Sequence, residues 1–338
     1  MRIVLDLQAY QSPGSRRRGI GRYSLSLAKA IASGAQGHEV IVLLNAGISD
    51  AIELVRSQFD GLVPQERILT WEPVGPVAQS NPANAFRQRA TEVLREKAIR
   101  SLNPDIVHVS SLFEGFTNEV VATVPSGGAW LGAVTLYDLI PLVHKNAYLH
   151  TAEARRWYME KIDHLRRADL LLGISRFSCE EAAELLQIPG ERLTNISGAA
   201  DDIFVRLGDT ESFRYELMSR YGLWRPFVMY TGGFDARKNI GSLIRAFASL
   251  PLSLRRAHQL VIVGDPPPQE HAQLGELVSR LELGEDEVVF TGFVPDDDLV
   301  KLYNICALYV FPSLQEGFGL PALEAMCSGA VVIGSNTS

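Results

Sequence analysis

Short apolar runs and helix-patterned stretches alternate along nearly all of this 338-residue chain. That alternation narrows the fold to a parallel sheet covered on both faces, because parallel neighbours need a long crossover that is usually a helix. In the first half, strands are expected at Ile3–Leu7, Glu39–Leu44, Asp105–Val109, Gly132–Tyr137 and Leu170–Ile174, and helices at Arg22–Ala32, Asn84–Ser101 and Ala152–Arg167. The periodicity lapses near Gly198-Ala199-Ala200-Asp201-Asp202 and resumes with strands at Phe227–Thr231, Gln259–Gly264, Glu287–Thr291, Leu308–Phe311 and Ala330–Ile333. Asp265-Pro266-Pro267-Pro268-Gln269 reads as a stiff loop between a strand and a helix. The chain is longer than one core usually serves. The expectation is an α/β protein of two Rossmann-like domains with mainly parallel sheets facing a central cleft, divided as residues 1–202 and 203–338. Only Gly334 to Ser338 follow the last strand, where a covering helix is normal, so the second domain is expected to be incomplete at its C-terminus.

Composition excludes several classes. A net charge of −7 argues against nucleic-acid binding, which favours a basic excess. Cys179, Cys306 and Cys327 show no C-x-x-C pair or zinc-type spacing, so no metal site is expected and a reduced, cytoplasmic setting fits. The N-terminus opens directly on a strand, Arg2-Ile3-Val4-Leu5, rather than on a signal peptide, and no apolar run approaches a membrane span. Arg155, Arg156, Arg166 and Arg167 read as the solvated face of a helix, with peripheral attraction to anionic lipid of the inner membrane as a second use.

The chemistry concentrates at two strand-to-helix turns in the second half. One is Glu316-Gly317-Phe318-Gly319-Leu320-Pro321-Ala322-Leu323-Glu324. Pro321 suits the first helical position, which puts Glu324 in the first turn and Glu316 in the loop before it. Neither Gly319 nor Leu320 carries a capping side chain, so helix N–H groups remain for a phosphate or a sugar hydroxyl. Taken alone, such a segment is also explained as a tight connection with two solvated glutamates. The second turn, Gly232-Gly233-Phe234-Asp235-Ala236-Arg237-Lys238-Asn239, follows a buried strand and brings two glycines and two adjacent cations to a strand's carboxyl end, where ligands of parallel sheets sit. That is the composition of an anion site.

The ordered motifs G-G-x-D-x-R-K-N, Val289-Phe290-Thr291-Gly292-Phe293-Val294 and E-G-F-G-L-P-x-L-E-A-M resemble those of the GT4-type retaining glycosyltransferases of GT-B fold, over nearly the whole chain. Gly19-Ile20-Gly21-Arg22-Tyr23-Ser24 and Tyr137-Asp138-Leu139-Ile140-Pro141-Leu142 add to the likeness, and the combination is most similar to bacterial O-antigen mannosyltransferases. The resemblance implies a nucleotide diphosphate sugar, GDP-mannose in this subgroup, as donor, a glycan or lipid-linked acceptor, and no cofactor. It assigns Arg237 and Lys238 to the diphosphate, Glu316 to the donor sugar and Glu324 to the ribose hydroxyls. Backbone of Gly317, Phe318, Gly319 and Leu320 would surround the sugar, Gly232 and Gly233 the phosphates, and Gly19 and Gly21 the donor and acceptor. Asp138 is carried over as a catalytic residue. Relatives often have histidine where Tyr137 stands, a phenol that still donates a hydrogen bond, and turn-capping is the plainer role for Asp138.

Other classes fit less well. Gly19-Ile20-Gly21 begins a dinucleotide fingerprint, but Ser24 replaces its third glycine and Asn45 stands where an acid is needed. Arg16, Arg17, Arg18 and Gly19 instead read as a long flexible basic lip on the cleft, or simply as an exposed loop. Ser110-Ser111-Leu112-Phe113-Glu114-Gly115 follows another strand end and is placed on the acceptor side by position alone. A nucleotide-sugar 2-epimerase would show acid/base residues for proton abstraction, and a non-catalytic nucleotide-sugar-binding protein is the third alternative.

Overall fold

A computed structural model describes residues 1–16, 19–125, 127–284 and 286–337. Arg17 and Arg18 of the expected basic lip, and Ser338 of the tail, lie outside the described residues. The chain divides into two compact units, Met1–Gly198 and Ala199–Ser338.

The first unit is a seven-stranded parallel sheet of β1 (Arg2–Asp6), β2 (Glu39–Asn45), β3 (Ile68–Trp71), β4 (Ile106–Val109), β5 (Leu131–Leu136), β6 (Leu170–Gly173) and β7 (Leu193–Asn195), in the order β3-β2-β1-β4-β5-β6-β7. The second is a five-stranded parallel sheet of β8 (Phe227–Thr231), β9 (Gln259–Val263), β10 (Val288–Phe290), β11 (Leu308–Phe311) and β12 (Val332–Gly334), in the order β10-β9-β8-β11-β12. Strand periodicity explains why both sheets are covered on two faces. Val4 packs with Ile41, Leu43 and Val107 in one cluster, whereas Leu5 packs with Val40, Val42 and Leu44 in another. On β8, Phe227 and Met229 belong to one core and Tyr230 to the opposite one.

Most expected strands and helices form within a residue or two, and Ala152–Arg167 spans the expected residues, with Ile162 and Leu165 buried and its arginines turned to solvent. Two edge strands, β3 and β7, were not expected, being short and partly polar. The last strand lies two residues later at its start than expected. Gly329 takes a left-handed φ of 87° and the Ala330 N–H returns to the Ala325 carbonyl at 2.9 Å, so the preceding helix keeps Ala330 for its C-terminal turn.

The expected flexible lip is corrected. The chain from Gln8 forms two single helical turns, Gln8–Gln11 and Pro13–Arg16, and a helix already runs from Gly19 to Ser33. Arg16 is tied down, its Nη2 donating to the Gln11 carbonyl at 2.6 Å and to Asp50 at 3.0 Å. Gly21 makes this possible: a Cβ there would stand 2.3 Å from the Ser15 carbonyl oxygen, so only glycine lets the helix lie against the turn.

At the end of β1, the buried Asp6 carboxylate accepts from Arg95 Nε at 2.9 Å and from Gln8 Nε2 at 3.0 Å. Arg95 Nη1 also donates to Thr123 Oγ1 at 3.0 Å. A pair this far from water is sustained only by such saturation of its hydrogen-bonding groups.

Candidate functional site

In the second unit the strand order reverses between β8 and β11, which are parallel neighbours. Their carboxyl ends therefore emerge side by side, and the loops after them share one place, as switch points of open parallel sheets dictate. Backbone and side-chain bonds lock the two loops together. The Leu314 N–H donates to the Arg237 carbonyl at 2.8 Å, and Asn239 Nδ2 to the Pro312 carbonyl at 3.2 Å. Asn239 adopts a left-handed φ of 57° between the short turn Ala236–Lys238 and the helix Ile240–Ala248, turning the chain back under β11. Gly232 and Gly233 close the end of β8, where the Tyr230 hydroxyl donates to the Gly233 carbonyl at 2.6 Å.

This arrangement brings Arg237, Lys238 and Glu316 together. Arg237 Nη1 donates to Glu316 Oε2 at 2.8 Å and to the Gln315 carbonyl at 2.8 Å, while Lys238 Nζ meets Glu316 Oε1 at 2.6 Å. Arg237 Nε also lies 3.1 Å from Asp235 Oδ1. Burial pushes the Glu316 carboxyl up, but the Lys238 and Arg237 charges outweigh it and hold the pKa below the usual carboxylate value. The anion site expected from two cations is thus, in this state, a neutral quartet: two cations and two carboxylates.

Gly319 begins the helix Leu320–Cys327 in a left-handed conformation, φ 97°, and no side chain caps that helix. A Cβ on Gly319 would also stand 3.1 Å from the Phe311 ring. The helix starts at Leu320, one residue earlier than expected, so Pro321 is its second residue and Glu324 lies beyond the first turn. Glu324 is buried and accepts from the Tyr303 hydroxyl at 3.3 Å. Gly317 is buried and Phe318 half-buried in the loop between Glu316 and this helix. Among the described residues no group of three His, Cys, Asp or Glu side chains is placed to hold a metal ion.

The candidates from the first half fall in the first unit. The Asp138 carboxylate accepts the Ile140 N–H at 3.0 Å, closing the bend that leads into the helical turn Ile140–Val143. Tyr137 donates its hydroxyl to the Ile20 carbonyl at 3.3 Å, pairs with Ser24 Oγ at 2.8 Å, and meets the Tyr23 ring edge-on at 5.7 Å. Burial raises its pKa, so the phenol stays protonated. It braces the start of the helix at Gly19 and Gly21. Sequence reasoning gave no role to Asp235, Asn239, Tyr303 or Tyr230. Asp235 and Asn239 stand inside the motif itself, whereas the two tyrosines lie in ordinary apolar runs with nothing to distinguish them.

With this geometry in hand, comparison with known proteins identifies the class. The Glycosyltransferase Family 4 model matches residues 17–202 and the Glycosyl transferases group 1 model residues 223–338. The chain belongs to the GT4 glycosyltransferases, and its two parallel-sheet units are those of the GT-B fold. It is 36% identical to the serotype-specific mannosyltransferase WbdA of Escherichia coli over 99% of its own length, and spans 40% of that protein. Against O-antigen chain mannosyltransferase B of Escherichia coli it is 30% identical, covering 100% of this chain and 83% of that one. The structure of Anabaena Alr3699/HepE in complex with UDP and glucose matches with a TM-score of 0.67 at 19% identity, covering 100% of this chain and 81% of that one, a likeness of fold. No helix among the described residues is long and apolar enough to cross a membrane.

Proposed function

We propose that this chain catalyses retaining transfer of mannose from GDP-mannose to a glycan or lipid-linked acceptor in the synthesis of O-antigen or a related polysaccharide. The observation that carries the reading is the convergence of Arg237 and Lys238 on one carboxylate at the switch point of the second sheet. The mannosyltransferase names of its relatives support the choice of sugar. Such an enzyme works in the cytoplasm, with peripheral contact at the inner membrane where the acceptor is lipid-borne.

In this reaction the bond from the anomeric carbon to the phosphate oxygen breaks and its electron pair goes to the diphosphate. Arg237 and Lys238 face the charge that builds there, and groups already fixed in place stabilise the transition state more than the ground state. Each charge-assisted contact contributes about 1.5–3 kcal/mol, or roughly ten- to hundredfold in rate. Glu316 orients the sugar and Glu324 the ribose hydroxyls, while backbone of Gly317, Phe318, Gly319 and Leu320 lines the sugar and Gly232 and Gly233 admit the phosphates. The acceptor hydroxyl attacks from the face the diphosphate leaves, and its proton passes to the departing phosphate oxygen. Gly19, Gly21 and Asp138 belong to the acceptor-side unit in this reading, and no metal or cofactor is required.

Incubation with GDP-mannose, UDP-glucose and ADP-glucose, with and without chelator, followed by product mass, tests the proposal. Mannose transfer with GDP release that persists in chelator is expected. Release of UDP or ADP alone would remove the mannosyl assignment.

A further inference from the structure

The cations of the turn after β8 are already engaged. Glu316 spans both, Nζ of Lys238 on one oxygen and Nη1 of Arg237 on the other, and its side chain retains only 13% of its exposure. Asp235 holds the Nε side of Arg237. Two positive and two negative side chains thus cancel at this spot. A diphosphate approaching it meets no net positive charge to draw it in. For the two donors that Glu316 holds, it must compete with the carboxylate.

We propose that Glu316 is a specificity-determining counter-ion, a built-in substitute for the diphosphate that is exchanged for it when the donor binds. This rests on the reading of the turn as the diphosphate site. The exchange sets a threshold by charge. A carboxylate with two charge-assisted bonds is displaced by a ligand that offers both cations oxygens of higher charge, as a diphosphate does, whereas a monoanion or a neutral sugar lacks the means. Displacement also turns the freed carboxylate into an acceptor for donor sugar hydroxyls, so the cost of breaking the quartet is offset when sugar and diphosphate arrive on one molecule. Free nucleoside diphosphate, without the sugar, meets the cost alone, which favours release of the product.

Inorganic pyrophosphate, whose binding does not depend on the nucleotide base, tests this by calorimetry at low ionic strength on the wild-type protein, Glu316→Gln, Glu316→Ala and Lys238→Ala. Removing the competing charge while keeping the cations is expected to tighten pyrophosphate about tenfold in both Glu316 variants, even as sugar transfer falls. Lys238→Ala is expected to weaken it about tenfold or more. Equal or weaker binding in the Glu316 variants, including none in any protein, overturns the exchange. If Lys238→Ala binds like wild type, the diphosphate site itself is misplaced and both readings fall. Tightening in Glu316→Ala suffices should the glutamine variant not fold.

Discussion

Alanine normally stabilises a helix relative to glycine by about 1 kcal/mol. At Gly21 the sign reverses, because the new Cβ would overlap the Ser15 carbonyl at 2.3 Å. Gly21→Ala is therefore expected to lower stability by about 1–3 kcal/mol, read from the urea midpoint; a gain would show that the turn moves aside freely. Arg95 offers a second test. Its replacement by Met leaves Asp6 charged and buried, a loss of about 3–5 kcal/mol, and adding Asp6→Asn is expected to recover much of it in a double-mutant cycle. Additive losses would mean that the pair is not coupled. Gly21 was legible as a glycine that permits close approach, but its neighbour proved to be the protein's own backbone. Arg95 was not legible at all, since an arginine on a charged helix looks like any other until the fold carries it inside.

Among the elements, Phe227–Thr231 and Leu308–Phe311, each with four apolar residues in succession, were the most legible strands, and their observed bounds match the expected ones. β3 and β7 escaped because edge strands need not be apolar on both faces. The two site loops were legible as turns with cations and acids. That Glu316 bridges Arg237 and Lys238 was not, because sequence order says nothing of β11 lying beside β8. Gly319 links element and site: its left-handed conformation starts the helix that follows Glu316 and Phe318. Gly319→Ala is expected to lower stability by about 1–2 kcal/mol, through backbone strain and crowding of Phe311, and to reduce sugar transfer more than tenfold. Unchanged kinetics would show that the helix start does not shape the site.

For the molecule as a whole, stability should depend on pH, and the buried His108 of the first unit contributes to that dependence. Burial pushes His108 down to about 4, against the Asp6 charge that acts in the other direction, and its Nε2 pairs with Thr135 Oγ1 at 2.8 Å. Because the folded value lies below the ordinary 6.5, the unfolded chain takes up the proton first as pH falls. Stability is therefore full above pH 6.5 and declines by about 1.4 kcal/mol per unit down to about pH 4 from this group. Urea titrations at pH 7 and 5 should show the slope, and His108→Gln should lessen it, leaving the part contributed by His164, which burial pushes down to about 3; an equal slope in the variant would assign it elsewhere. The two units have separate cores, and the chemistry argued for the second rests on a diphosphate replacing Glu316 beside two fixed cations. The most direct measurement is a crystal structure with GDP-mannose bound. The diphosphate is expected within hydrogen-bonding distance of Arg237 and Lys238, with Glu316 turned to the sugar. A diphosphate held at another place, or by a divalent ion with Glu316 still spanning both cations, would contradict it.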